Sequence, residues 1–409
     1  MGGLPRASLK DELAISGDSP GGVPSRARVL IVTATVGAGH NSVARALLEQ
    51  FSRTAPDLAV DSLDVMAFVP RLFRAYYAGG FALGMSRFPR GFGLGFRLTN
   101  HPQGLRRGLL ERLRLVEEGL ALRGFARHVL AAQSDLIVNT HFLAGPKIAR
   151  LRAAGRLTCP QVTVVTDVEV HRFWHCEDVE HWFVPSEHSA GPLRRWGVPA
   201  ERITVSGIPI HPKWSRPADR RQVLADWRLP ADKPLVILTG GTEFLCVPVP
   251  KIARALLAAC PGIHLVVLTG RNKKLLAELA KMPEAPARMT PMGFTDRVHE
   301  LVEVCSLMLT KPGGVTTAEC LAKGTPMVLM RPVPGHEGGN ARHFAEQGAA
   351  VIARTLGDIV GQATRLLNDP TALSAMADRA WALYRPGTQT VVKAIAQMVA
   401  GRLGPTQPV

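Results

Sequence analysis

The sequence predicts an α/β protein: two Rossmann-like domains facing a cleft. Three observations predict it. Short β-branched runs alternate with amphipathic stretches in two separate regions, the pattern of parallel strands covered by helices on both faces. Many of these runs end in Gly, Thr-His or Pro-Gly, so the loops beyond them suit close approach of a ligand at the carboxyl edge of a sheet. Between the regions lie Ser206–Pro212 and Pro217, spaced prolines without a helical or strand period, which read as a hinge.

The totals agree. A chain of 409 residues exceeds what one core usually holds, so two domains are expected. With 46% hydrophobic and 20% charged residues, the composition is globular. A net charge of +16 implies an anionic partner, whether nucleic acid, an acidic membrane surface or a phosphorylated substrate. The six cysteines form no Cys-x-x-Cys pair, which suggests no disulfide framework and fits a reducing cytoplasm. Met1–Ala27 is polar and Gly/Pro-rich; it reads as a flexible segment without a signal peptide's apolar core. No apolar run approaches the roughly 18 residues of a membrane span, so a soluble or peripheral protein is expected.

In the first domain, Val29–Ala34 reads as a buried strand leading into Gly37-Ala38-Gly39-His40. Asn41 or Ser42 is the expected cap of a helix over Val43–Phe51. The Gly-x-Gly-x-x-Gly spacing is not met, yet the glycines place His40 at the sheet edge, where a base poised near neutral pH is useful. From Met66 to Leu115 the character changes. Phe68, Phe73, Tyr76, Phe88 and other aromatics interleave with Arg71, Arg74, Arg87, Arg90 and further arginines, with no acid before Glu111. Such a mixture suits a bilayer boundary; it also suits single-stranded nucleic acid or basic helix faces packed on a core. Strands over Asp135–Asn139 and Val162–Thr166 end in Thr140-His141 and Asp167, and Asp167 is a second functional candidate. His171, His175, Cys176 and His181 lie close together, but without a paired cysteine cluster a zinc site is weakly indicated. Phe183 onward and Arg202–Val205 finish the domain.

The second domain restarts the alternation. Leu235–Thr239 ends in Gly240-Gly241, Leu265–Leu268 in Thr269-Gly270, and Leu307–Thr310 in Lys311-Pro312-Gly313-Gly314-Val315-Thr316. A helix over Val315–Lys323 would turn its unpaired N–H groups toward an anion. After the strand Met327–Met330, Pro334 through Asn340 is read as a loop before another helix. Glu319, Glu337 and Asn340 could hold neutral hydroxyls beside that anion, which together describe a nucleotide-sugar site. A strand at Ala350–Ala353 and helices over Leu356–Leu367, Leu373–Leu383 and Thr390–Leu403 complete the chain.

These residues resemble a family. The Thr33–His40 opening, Thr166-Asp167…His171…Trp174, Gly207-Ile208-Pro209-Ile210, Lys311–Thr316…Glu319 and Pro332–Glu337…Asn340 are similar to motifs of the processive diacylglycerol glycosyltransferases of bacteria and the monogalactosyldiacylglycerol synthases of chloroplasts. The lipid II N-acetylglucosaminyltransferase is more distantly similar. The resemblance runs from about Val29 to about Ala400. It implies a GT-B fold, inverting and metal-independent transfer of a hexose from a UDP-sugar to the 3-hydroxyl of diacylglycerol, repeated addition as an option, and no cofactor.

His40 and Asp167 are then the implied catalytic pair. Gly240, Gly241, Gly313, Gly314, Val315, Thr316, Glu319, Gly335, Glu337, Gly338 and Asn340 are implied on the donor side. The helix opened by Val315 and Thr316 would take the diphosphate, Glu319 the ribose, and Glu337 with Asn340 the sugar. Gly39, Arg71, Arg74, Phe88, Arg90 and Trp174 are implied on the acceptor and membrane side. The expected partners are a UDP-hexose, diacylglycerol and anionic lipids rather than nucleic acid, on the inner face of the cell membrane.

The implied domains are 28–210 for the acceptor and 211–387 for the donor, with 388–409 a helix and tail packing back on the first. Gly240-Gly241-Thr242-Glu243 is poorer in glycine than many relatives, and His336 stands where Gln is frequent, so the sugar stays open. The alternatives are another lipid acceptor of the lipid II type, a UDP-sugar epimerase, or a basic RNA- or membrane-binding protein with a vestigial site.

Overall fold

The computed structural model describes residues 26–37, 39–100, 116–240, 248–285 and 287–403. Gly241 and the side chains of Arg87 and Arg90 lie outside the described residues, as does the end of the basic stretch beyond Asn100.

Two six-stranded sheets carry the molecule. The first contains β1 (Arg28–Thr33), β2 (Ala59–Asp64), β3 (Leu136–Asn139), β4 (Gln161–Val164), β5 (His181–Val184) and β6 (Ile203–Val205), in the order β2-β1-β3-β4-β5-β6. The second contains β7 (Leu235–Thr239), β8 (His264–Leu268), β9 (Met289–Met292), β10 (Leu307–Thr310), β11 (Met327–Met330) and β12 (Ala350–Ala353), in the order β12-β11-β10-β7-β8-β9. All the pairings are parallel. Strand order therefore reverses between β1 and β3 in one sheet and between β7 and β10 in the other. Each reversal opens a crevice beyond the strand ends, where open α/β sheets take ligands. This is the GT-B architecture.

The central strands are buried along their length because both faces are covered. β7, β8, β10 and β11 read LVILT, HLVVL, LMLT and MVLM, with every residue buried. Each fully buried aliphatic side chain contributes about 1.5–3 kcal/mol to holding its layer.

Six helices position the site: α1 (Gly39–Thr54), α2 (Arg71–Arg87), α3 (Pro89–Thr99), α4 (Gly314–Leu321), α5 (His336–Glu346) and α6 (Gly387–Leu403). α1 begins at Gly39, ahead of the expected cap. Asn41 therefore sits inside the helix, where its Oδ1 accepts the Thr33 hydroxyl proton and its Nδ2 donates to Thr35 Oγ1 at 2.8 Å. α5 likewise starts early, so Glu337, Gly338 and Asn340 lie in a helix and not in the expected loop. Gly335, at φ 118°, makes the turn into it, a conformation that glycine alone adopts without strain.

The chain crosses between domains twice, and the crossings brace each other. Gly207 has φ +82°, and a side chain there would press within 2.8 Å of Arg385. Gly387 faces the Gly207 carbonyl equally closely. Thr388 Oγ1 accepts the Ile210 N–H at 2.9 Å and donates to the Ile210 carbonyl. Beyond this crossing α6 returns to the first domain, burying Val391, Val392, Ile395 and Val399 in one core with Val29, Ile31, Val43 and Leu47.

Candidate active site

The side of the cleft expected to take the acceptor is built on the ends of β1, β3 and β4. The turn after β1 delivers His40 as the second residue of α1. Its Nδ1 lies 3.0 Å from the Thr140 carbonyl and 3.0 Å from Thr166 Oγ1. A carbonyl can only accept, so Nδ1 carries the proton and Nε2 keeps a free lone pair. Nε2 has no hydrogen-bond partner among the described residues. Burial lowers the His40 pKa, the nearby Asp167 charge and the Thr140 carbonyl oppose that, and His336 adds to the lowering. A neutral imidazole with its basic nitrogen unoccupied is the result.

Asp167 is half-buried beside this group, and its carboxylate makes no hydrogen bond to His40. The ring is oriented by Thr140 and Thr166, and Asp167 acts on it through charge. Neither threonine stands out in sequence; the available signal is that each sits at a strand's carboxyl end, next to His141 and Asp167.

Trp174 is 2% exposed and packs 6.2 Å from His40 and 5.6 Å from Phe142. Its buried ring packs beside those of His40, His141 and Phe142, where a membrane-facing residue was the alternative. Of the possible zinc ligands, His171 accepts the Phe173 N–H through Nδ1 and, through Nε2, lies 3.1 Å from the Phe96 carbonyl and 3.0 Å from Thr99 Oγ1. His181 bonds Thr204 Oγ1, and His175 stacks against Trp182. Among the described residues no three His, Cys, Asp or Glu side chains converge. His171 instead fastens the end of α3 to the loop below it, and Arg172 N–H donates to Asn100 Oδ1 at 2.8 Å.

The side expected to take the donor is built on β10 and β11. Pro312-Gly313 ends the strand, and α4 starts with no side-chain cap on Gly313, leaving its first N–H groups available for an anion. Gly314 packs so tightly on the acceptor domain that a Cβ would overlap the Thr166 carbonyl oxygen. A Cβ on Gly39 would lie 3.6 Å from Val315 Cγ2. The uncapped helix start therefore adjoins the His40 turn across the cleft. Thr316 is half-buried in that first turn, and Gly240 is half-buried at the end of β7, the neighbouring strand.

Glu319 lies one turn further in, where burial pushes its carboxyl up to about 8 against the opposing effects of Lys213 and a Trp214 hydrogen bond. Glu337 accepts the Val333 N–H at 3.0 Å and faces Lys311 Nζ at 3.7 Å; sequence reasoning passed over that lysine. Gly338 N–H donates to the Val333 carbonyl. Asn340 is fully buried with both amide atoms engaged: Oδ1 accepts Glu169 N–H at 2.9 Å and Nδ2 donates to the Pro312 carbonyl at 3.0 Å. Its amide braces the domains, a different task from the hydroxyl contact expected of it.

On the outer surface, Arg71 and Arg74 of α2 are exposed beside Leu72 at 83% and Tyr76 at 65%, and Phe88 precedes α3 at 67%. No helix among the described residues is long and apolar enough to cross a membrane.

Comparison with known proteins agrees with this geometry. Residues 40–210 match the monogalactosyldiacylglycerol synthase family model, and residues 235–397 match the glycosyltransferase family 28 C-terminal domain. A processive diacylglycerol beta-glucosyltransferase of Bacillus thuringiensis is 26% identical over 363 residues, covering 88% of this chain and 90% of that protein. Among solved structures, the S. aureus MnaA-UDP complex superposes with TM-score 0.63 at 15% identity, covering 93% and 99% of the two chains. Acinetobacter baumannii MurG superposes with TM-score 0.57 at 19% identity, covering 91% and 100%. With the His40 half of the cleft matching one family model and the α4 half the other, the chain has a GT-B fold that carries a monogalactosyldiacylglycerol synthase domain followed by a glycosyltransferase family 28 C-terminal domain.

Proposed function

We propose that the protein moves a hexose from a UDP-sugar to the 3-hydroxyl of 1,2-diacylglycerol at a membrane surface that it binds without crossing. The observation that carries this reading is the free Nε2 of His40 on a turn whose Gly39 adjoins Val315 at the uncapped start of α4. His40 Nε2 takes the proton of the acceptor hydroxyl; the oxygen attacks the anomeric carbon; the bond from that carbon to the diphosphate breaks; and UDP leaves with the electron pair. One displacement by one nucleophile inverts the anomeric centre.

The helix start and Lys311 meet the charge growing on the diphosphate, in a site where fixed dipoles act more strongly than in water. No metal is assigned a part, and transfer insensitive to EDTA is the expected result. The diacylglycerol assignment is supported by the name of the B. thuringiensis relative, and the UDP assignment by the UDP that S. aureus MnaA holds in its complex. Leu72, Tyr76 and Phe88 beside Arg71 and Arg74 supply an apolar and cationic face for anionic lipid, and the enzyme works from the cytoplasmic leaflet.

The test is purified protein with phosphatidylglycerol vesicles containing diacylglycerol and, in turn, UDP-glucose, UDP-galactose and UDP-N-acetylglucosamine, followed by lipid chromatography. A glycosyldiacylglycerol is expected with at least one donor, and longer products would show repeated addition. An isomerised sugar nucleotide, or transfer only to a polyprenyl lipid, would replace this reading.

A further inference from the structure

His141 stands beside the base and has no part in the chemistry so far. It follows Thr140, whose carbonyl holds His40, and its ring is edge-on to the His40 ring with centroids 4.5 Å apart. Phe142 at 4.2 Å and Trp174 at 6.4 Å complete its surroundings, and the residue is 3% exposed. Its Nδ1 accepts the Leu143 N–H at 3.0 Å. A ring nitrogen that accepts carries no proton, so the neutral ring bears its proton on Nε2. Burial, with His40 adjacent, holds the pKa well below the usual histidine value; the ring stays neutral.

Two histidines thus sit side by side in opposite tautomers. His40 is protonated on Nδ1 and offers a lone pair at Nε2, whereas His141 is protonated on Nε2 and offers a donor. His141 Nε2 has no hydrogen-bond partner among the described residues, and it is not one of the sealed, unpaired polar atoms such as Trp182 Nε1 and His264 Nδ1. With Nδ1 engaged and the ring edge-on to His40, Nε2–H is the group this side chain has left to offer beside the His40 ring.

We propose that His141 is an acceptor-binding residue: its Nε2–H donates to one lone pair of the hydroxyl oxygen whose proton His40 Nε2 removes. The inference rests on the reading of His40 as base. A hydroxyl oxygen has one proton and two lone pairs. The proton goes to His40, one lone pair accepts from His141, and the other attacks the anomeric carbon. The His141 hydrogen bond both aims the O–H bond at His40 and stabilises charge left on oxygen as the proton departs. A single base would leave the hydroxyl free to rotate.

Two amides of different reach test this. In His141→Asn the side-chain oxygen can still accept the Leu143 N–H, but nothing occupies the Nε2 position; in His141→Gln an N–H reaches toward that position. Both full-length variants are assayed on phosphatidylglycerol vesicles containing dioleoylglycerol, with the UDP-sugar the wild type uses best. The Asn variant is expected to raise the acceptor KM and lower kcat by ten- to a hundredfold while UDP affinity and thermal midpoint stay near wild type. The Gln variant is expected to recover at least a third of the lost rate. His141→Phe, which keeps the ring packing, should match Asn if it folds. Wild-type acceptor kinetics in the Asn variant, or equal defects in Asn and Gln, would overturn the assignment. If the wild type itself transfers nothing to dioleoylglycerol, the proposed function fails first, and the two failures are told apart in one experiment.

Discussion

Asn340 Oδ1 accepts the backbone N–H of Glu169 at 2.9 Å, so a side chain on the donor-domain helix is held by the acceptor-domain loop that follows Asp167. The same amide donates to Pro312, at the turn before α4. Asn340→Ala removes both partners from a fully buried place and leaves two backbone groups unpaired, at a cost of about 1–3 kcal/mol. The expected result is a drop of that size in urea-unfolding stability, or an expanded particle in small-angle scattering. Unchanged stability and size together would show that the brace does not hold the domains.

In the proposed role of base His40 must be neutral, and burial lowers its pKa from the ordinary 6.5. The rate is therefore full at neutral pH and falls only as pH drops through the lowered His40 value. Asp167 raises that value through its charge, so Asp167→Asn should carry the acid limb of kcat/KM to lower pH. Abolished transfer at every pH would instead make Asp167 the base.

Gly314 and Gly313 offer a matched pair. A Cβ on Gly314 overlaps the Thr166 carbonyl and crowds Ile208 at 3.1 Å, whereas one on Gly313 meets open space. Gly314→Ala should cut transfer tenfold or more by pushing the domains apart, and Gly313→Ala should leave the overall stability near wild type. Equal activity in the Gly314 variant would mean that contact at Thr166 is not needed in turnover.

Glu319 binds a proton in the folded protein at pH values where the unfolded chain has lost it, since burial raises its carboxyl from 4.5 to about 8. The unfolded state then holds fewer protons, and stability falls as pH climbs from 4.5 through 8. Glu319→Gln removes that dependence. Urea unfolding at pH 5, 7 and 9 should give a flatter profile for the Gln variant, and parallel profiles would refute the raised value.

The donor-domain strands were legible almost to the residue. β7, β10 and β11 coincide with the apolar runs at Leu235, Leu307 and Met327, because strands covered on both faces must be continuously apolar, and β12 coincides with the run at Ala350 because AVIA stays apolar even at a sheet edge. β2, reading AVDSLD, and β9, reading MTPM, escaped notice: both are edge strands and only partly buried. α2 and α3 were hidden by Gly79, Gly80, Gly91, Gly93 and Gly95, which argue against helix by propensity. A Cβ on Gly93 would overlap Pro334, so that glycine is there for packing. The positions of His40 and of the α4 start follow from local spacing. The threonines that orient His40 come from 100 and 126 residues away, and the partners of Asn340 from 171 and 28. Local pattern carries no trace of such pairings.

The return of α6 to the first domain bears on how the protein is made. Val29 and Ile31 leave the ribosome early, yet Val391, Ile395 and Val399, which share their core, come last. The second domain has one apolar cluster of its own, between Val236 and Met376, which can form as that domain is synthesised, whereas the other face of its sheet, with Leu235, Ile237 and Met308, joins the core that waits for α6. The domain that starts first is completed only when α6 arrives: its exposed apolar surface persists through most of translation, and a chain stopped just before α6 holds both sheets but lacks the helix that closes their shared core.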